Sequence, residues 1–215
     1  MRISAKLIRE NPMPRLLRNI LFGVVIVLAS TAANAASVTL VDVANSQVRD
    51  GAYAGFYTLK IDGNNLLAMC DDVSTNSFIS ETWAGNLNTL GTINGGAGKF
   101  YPNTVGYHQI GYLFSLAPNV DYSHQASIDE AIWKIMTPSA PFSLTGDALT
   151  YYNTATSGVY DTFDYSSYML VVTPDPHSAS QEFLVTPSAV PIPAAIWFFG
   201  SGLLALAGMV RRKRK

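Results

Sequence analysis

The run Ala54-Gly55-Phe56-Tyr57-Thr58-Leu59-Lys60-Ile61-Asp62-Gly63-Asn64-Asn65-Leu66-Leu67-Ala68-Met69-Cys70 decides how the chain is read. Tyr57, Leu59 and Ile61 fall on one side and Thr58 and Lys60 on the other, the period-2 alternation of a half-buried strand. Asp62-Gly63-Asn64-Asn65 supplies a turn, because Gly and Asn tolerate positive φ, and Leu66 to Cys70 reads as the return strand. An antiparallel hairpin results. Upstream, Ser37 to Val43 alternates in the same way and is expected to join that sheet.

Downstream the period changes. Thr89 to Asn103 reads as a loop; its glycines and Lys99 do not form a phosphate-binding loop, because Phe100 stands where Ser or Thr is needed. Ile110, Leu113 and Phe114 share one face of a helix over 106–117 that stops at Pro118. Ile128, Ala131, Ile132 and Ile135 predict a stronger helix over 124–136, and a short third one is expected over 147–153. Strands resume at 168–173 and 182–186, on either side of a Pro-containing loop, as a second hairpin. The expected class is α+β: a β-rich domain of antiparallel hairpins with two or three short helices, plus a C-terminal transmembrane helix.

Charge is distributed unevenly. Of fourteen Lys and Arg, only Arg49, Lys60, Lys99 and Lys134 lie between Ala36 and Ala189, against fourteen of the fifteen acids, so this segment carries −10 while the whole chain carries −1. Nucleic acid is excluded as a partner, because phosphate binding needs a cationic surface. The segment, about 155 residues, suffices for one domain with a core. Its single cysteine, Cys70, precludes an intramolecular disulfide.

Both termini carry addresses. Arg15 and Arg18 precede an apolar core from Ile20 to Ala29, and Ala33-Asn34-Ala35 ahead of Ala36 forms an A-x-A cleavage pattern: a secretory signal peptide over 1–35, with Met13 an alternative start. At the other end an apolar segment from Ile196 to Val210 has Trp197 at one flank and Arg211, Arg212, Lys213, Arg214 and Lys215 at the other. Such a flank stays cytoplasmic, which places the body across the membrane. The expected organisation is therefore a signal peptide over 1–35, an exported domain over 36–186, a linker over 187–193 and a sorting and membrane segment over 194–215.

The tail also resembles a known signal. Val190, Pro191, Pro193, Ala194, Ala195, Trp197, Phe199, Gly200, Ser201, Gly202, Leu203 and Leu204, followed by the cluster from Arg211 and Arg212, are similar to the sorting domain of PEP-CTERM proteins in the variant that begins VPLPA; Ile192 replaces the usual Leu. The resemblance covers only about the last twenty-six residues. It implies export across the inner membrane of a Gram-negative bacterium and a transient membrane-anchored precursor. Signal peptidase and an exosortase would be its partners, and its destination the cell surface or the extracellular matrix.

The middle resembles bacterial thioester domains more weakly. Those pair a strand Cys, here Cys70, with a Gln two residues before Ala-Ile-Trp, matched here by Ala131-Ile132-Trp133. That acyl position is Asp129, not Gln, which breaks the family's route; Gln125, one helical turn earlier, is the shifted alternative. The competing reading makes Cys70 a small buried hydrophobe on a core strand. Asp71 and Asp72, with Asp129 or Glu130, raise a calcium site, but adjacent acids at a strand end are more often a solvated edge and no EF-hand spacing is present. Trp83 and Trp133 raise a sugar platform against a core role. His108, His124 and His177 show no spacing that pairs them with Cys70. The sequence thus points to a non-enzymatic exported protein, without cofactor or metal, with a structural or binding role beside extracellular polysaccharide in a biofilm and a glycan or matrix polymer as partner. A covalent adhesin using Cys70 is the alternative, and a Cys-dependent hydrolase the third.

Overall fold

A computed structural model describes residues 35–187. Its strands are β1 (Ala36–Arg49), β2 (Ala52–Ile61), β3 (Asn64–Cys70), β4 (Thr82–Asn88), β5 (Leu170–Pro174) and β6 (Phe183–Val185). Between β4 and β5 come helices α1 (Leu90–Asn94), α2 (Thr104–Leu116), α3 (Tyr122–Met136) and α4 (Gly146–Ala155). The strands run β1-β2-β3-β6-β5-β4 and close back on β1, every pair antiparallel.

This corrects the expected α+β class. The strands do not stand as two separate hairpins. They form one closed antiparallel barrel, and the described residues are mostly β. Closure depends on pairings remote in sequence: β1 with β4, from Ala36↔Gly85 to Thr39↔Thr82, and β3 with β6, from Ala68↔Val185 to Cys70↔Phe183. Closing the sheet removes the free edges that open hairpins leave. The expected C-terminal transmembrane helix falls outside the described residues. Among the described residues no helix is long and apolar enough to cross a membrane.

β4 is the strand that the sequence conceals. It reads Thr-Trp-Ala-Gly-Asn-Leu-Asn, with residues that weaken strand propensity. Gly85 has a steric reason: a Cβ there would lie 3.0 Å from Val38 Cγ2 and 3.2 Å from Val172 Cγ1. The barrel closes over that missing side chain.

Alternation along the strands builds two apolar layers. Val38, Leu40, Tyr57, Leu59, Leu66, Ala68, Cys70, Val172, Phe183 and Val185 pack together inside the barrel. The intervening residues Phe56, Met69, Val171 and Leu184 join a second layer with Ile110, Leu113 and Phe114 of α2 and Ile128, Ile132 and Ile135 of α3. The helices therefore cover one outer face of the barrel, and their placement follows from local chemistry. The Asn103 side chain accepts from Gly106 N at 3.0 Å to cap α2, and Asp121 accepts from His124 N at 3.0 Å to cap α3. Lys134 lies in the last turn of α3, where a cation favours the helix dipole.

Candidate functional site

The barrel's register gathers a polar centre at one end. Cys70 pairs with Phe183 inside the barrel, so the next residues, Asp71 and Glu182, lie opposite one another, with Asp71 N donating to Glu182 O at 3.3 Å. Because Val172 pairs with Phe183, Thr173 flanks Glu182 from β5, and its hydroxyl donates to Glu182 Oε2 at 2.5 Å. Asn88 Nδ2 continues the row to Thr173 Oγ1 at 2.9 Å. Tyr107 of α2 donates its hydroxyl to Glu182 Oε1, and Lys99 N donates to Oε2 at 3.0 Å.

Two carboxylates facing each other across strands repel, and both are fully buried. One must hold a proton. Burial, then the charges of Glu182 and Asp72, push the Asp71 carboxyl well above its usual range. Ionised, neither Asp71 oxygen has a donor; protonated, Asp71 donates to Glu182. Burial also raises Glu182, against the opposing hydrogen bonds from Thr173, Tyr107, Lys99 N and Asp71.

Asp72 resolves its burial differently. Oδ1 accepts from Ser74 N at 3.0 Å, Ser74 Oγ at 2.6 Å and Thr75 N at 3.3 Å; Oδ2 meets Lys99 Nζ at 2.5 Å. Lys99 Nζ also donates to Thr75 Oγ1 at 2.9 Å and to Ser180 O at 3.1 Å. Burial pushes the Asp72 carboxyl up, but the hydrogen bonds from Lys99, Ser74 and Thr75 prevail and leave it below its ordinary value. Gln181 Nε2 donates to Asp72 O at 2.7 Å, fixing the turn that carries it.

From the helix side, α3 touches the end of β3 and the start of β2. Asp129 and Trp133 are one helical turn apart on the same face. Asp129 Oδ2 accepts from Gly55 N at 2.8 Å, while its Oδ1 is buried without a partner. Trp133 Nε1 donates to Cys70 O at 2.9 Å. Burial drives the Asp129 carboxyl well up, so it stands neutral.

Cys70 itself is sealed. Its thiol donates to Asp72 O at 3.1 Å and accepts from Asp72 N at 3.3 Å, and burial, followed by the acids Asp129, Asp71 and Asp72, pushes its pKa well up. The thiolate that a nucleophile needs is suppressed.

Several expectations meet this geometry directly. Asp71 and Asp72 are not a solvated edge; both are fully buried. Trp83 and Trp133 offer no sugar platform, since both are core residues, and Trp83 stacks on Phe183 at 5.9 Å. Asp129 accepts from Gly55 N and makes no hydrogen bond to Cys70, and Gln125 turns to Val120 O at 2.9 Å. His108 Nδ1 lies 2.8 Å from Phe163 O and His124 is tied to Asp121, so neither is directed at Cys70. Among the described residues no group of three or more His, Cys, Asp or Glu is placed to hold a metal ion. Ala36 opens β1 and is buried, and Ala35 just before it is exposed. Ala33 and the sorting-motif residues from Val190 onward lie outside the described residues. Sequence reasoning missed Glu182, Lys99, Tyr107 and Thr173. The available signal was the unexplained Glu at the head of an apolar strand.

Solvent meets a different surface. An open pocket of about 510 Å³ is lined by Asp50, Ser74, Asn76, Ser139 and Pro141, with Phe142 beside them. Phe142 is held edge-on to Trp133, with ring centroids 6.2 Å apart, and Lys134 Nζ sits 5.3 Å from its ring centroid. Its lining combines hydroxyl, amide, carboxylate and aromatic groups.

No family model, no curated protein and no solved structure matches this chain.

Proposed function

We propose that the chain is an exported, non-catalytic barrel domain, processed by signal peptidase and an exosortase, with a structural or binding role beside extracellular polysaccharide. The observation that carries the non-catalytic part is the sealing of the polar centre: Cys70, Asp71, Asp72, Asp129 and Glu182 are each 0 % exposed. Groups so buried stabilise and orient a fold, whereas a covalent adhesin or a hydrolase must present its nucleophile to a partner. The open pocket supports a neutral glycan as ligand, and the −10 charge of the segment between Ala36 and Ala189 disfavours anionic ones. Among the described residues the strands begin at Ala36 and end at Val185, so the proposed cleavages near Ala36 and Pro193 remove none of the described strands.

Mass spectrometry of the extracellular form should find an N-terminus near Ala36 and a C-terminus near Pro193. Peptides containing Arg211-Arg212 in that fraction would refute the processing. For binding, Asn76→Trp fills the pocket from its exposed rim and should abolish retention on neutral polysaccharide. Unchanged retention would move the ligand elsewhere.

A further inference from the structure

We propose that Lys99 and Asp72 become joined by an intramolecular amide bond between Lys99 Nζ and Asp72 Cγ. The reading stands apart from the export proposal and rests on the geometry of this one pair. Lys99 Nζ lies 2.5 Å from Asp72 Oδ2, with the Asp72 side chain fully shielded from water and that of Lys99 14 % exposed. An ordinary exposed ion pair spends its time exchanging partners with water. This amine is instead fixed by three acceptors, Asp72 Oδ2, Thr75 Oγ1 and Ser180 O. The acid is fixed equally firmly at its other oxygen.

That other oxygen is placed as an acyl transfer requires. When an amine adds to a carboxyl carbon, one oxygen gathers negative charge and the other departs as water. Ser74 N, Ser74 Oγ and Thr75 N converge on Asp72 Oδ1 at 3.0, 2.6 and 3.3 Å, the arrangement of an oxyanion hole. Oδ2, the departing oxygen, faces the amine. The step balances without any co-reactant. One proton passes from the Lys99 ammonium to Oδ2 along their contact, giving neutral amine and acid; Nζ then attacks Cγ, and Oδ2 leaves as water with a second proton from nitrogen. The neutral product also removes the cost of keeping a charge pair away from water. Holding both reactants in contact supplies the effective concentration that makes such a condensation feasible in a folded protein.

The bond would brace the loop between α1 and α2 against the end of β3. In a chain with one cysteine, no disulfide can do this.

Trypsin reads the result from the wild-type protein. Cleavage follows Lys or Arg, and Lys60, Lys99 and Lys134 are the sites in this region. Amide formation blocks cleavage after Lys99, so denatured, fully digested protein should yield the single peptide 61–134, lighter than its sequence mass by one water, with fragmentation placing the link between Lys99 and Asp72. Recovery of separate peptides 61–99 and 100–134 at full sequence mass would overturn the proposal. So would a 61–99 peptide one water lighter but still cleaved after Lys99, which marks dehydration of an acid without a cross-link, or a link mapped to another acid. Lys99→Arg keeps a cation but cannot form the amide, and should restore cleavage at that position with no mass loss.

Discussion

On the loop side of the polar centre, Asp72 is surrounded: four hydrogen bonds from Ser74, Thr75 and Lys99 hold its carboxylate. On the helix side, Asp129 is equally buried but receives one hydrogen bond, from Gly55 N. Burial is thus the same and the charge state is opposite. A buried carboxyl keeps its charge only where donors replace its hydration, and otherwise keeps its proton. Asp71, beside Asp72 in the chain, belongs with Asp129, because its facing neighbour is another acid rather than a lysine.

The largest effect should come from emptying the donor-rich side. Lys99→Met removes the amide and, in chains not yet linked, the ion pair, and leaves the Asp72 carboxylate buried beside no cation; loss of one partner of a buried pair alone costs about 3–5 kcal/mol. Chemical denaturation would measure it, and a change below about 1 kcal/mol, the range of exposed pairs, would show that the pair is effectively solvated. Next in size is Gly111→Ala. Its Cβ would lie 2.5 Å from Tyr165 Cβ, close to the backbone where neither helix nor loop yields easily, and overpacking of this kind costs about 1–3 kcal/mol.

The two sides also respond oppositely to pH. Asp71, Glu182 and Asp129 are raised in the folded state, so their contribution is complete below the unfolded carboxyl pKa of roughly 4 and is lost as pH rises through the folded values. Where it is not joined to Lys99, Asp72 is lowered, so its contribution is present above the unfolded value and is lost as pH falls through the folded one. Within this polar centre three raised groups stand against one lowered group, so its contribution to stability declines as pH rises from mildly acidic to neutral. Thermal melts across that range should show the midpoint falling as pH rises. The smallest effect belongs to Asp129→Asn, which keeps an acceptor for Gly55 N and, at acidic pH, replaces one neutral group with another. Its cost at acidic pH should stay within about 1 kcal/mol, while the pH dependence becomes shallower.

The same contrast explains what could be read from residues alone. The hairpin of β2 and β3 was legible because Tyr57, Leu59 and Ile61 alternate and Asp62-Gly63-Asn64 turns the chain, all within one short window. Helices α2 and α3 were legible from their apolar spacing. Barrel closure was not, since β1 meets β4 more than forty residues later and β4 carries Gly85 where a Cβ would collide with Val38 and Val172. Cys70 could be placed in the core from its position on an apolar strand. Asp71 and Asp72 misled for a physical reason: local sequence shows the charge but not the partner, and those partners, Glu182 and Lys99, come from distant segments. The Asp71 and Glu182 confrontation exists only once β3 and β6 are in register.

The central claim is that these reactive groups belong to the interior and serve the fold. Reaction of Cys70 with a soluble thiol reagent tests it most directly, because this residue touches both sides, its thiol hydrogen-bonded to Asp72 and its carbonyl accepting from Trp133 of α3. Folded protein is expected to leave Cys70 unmodified, and the same sample after denaturation to react at one thiol per chain. Rapid modification of the folded protein, or a thiol still unreactive once the chain is unfolded, would contradict the account.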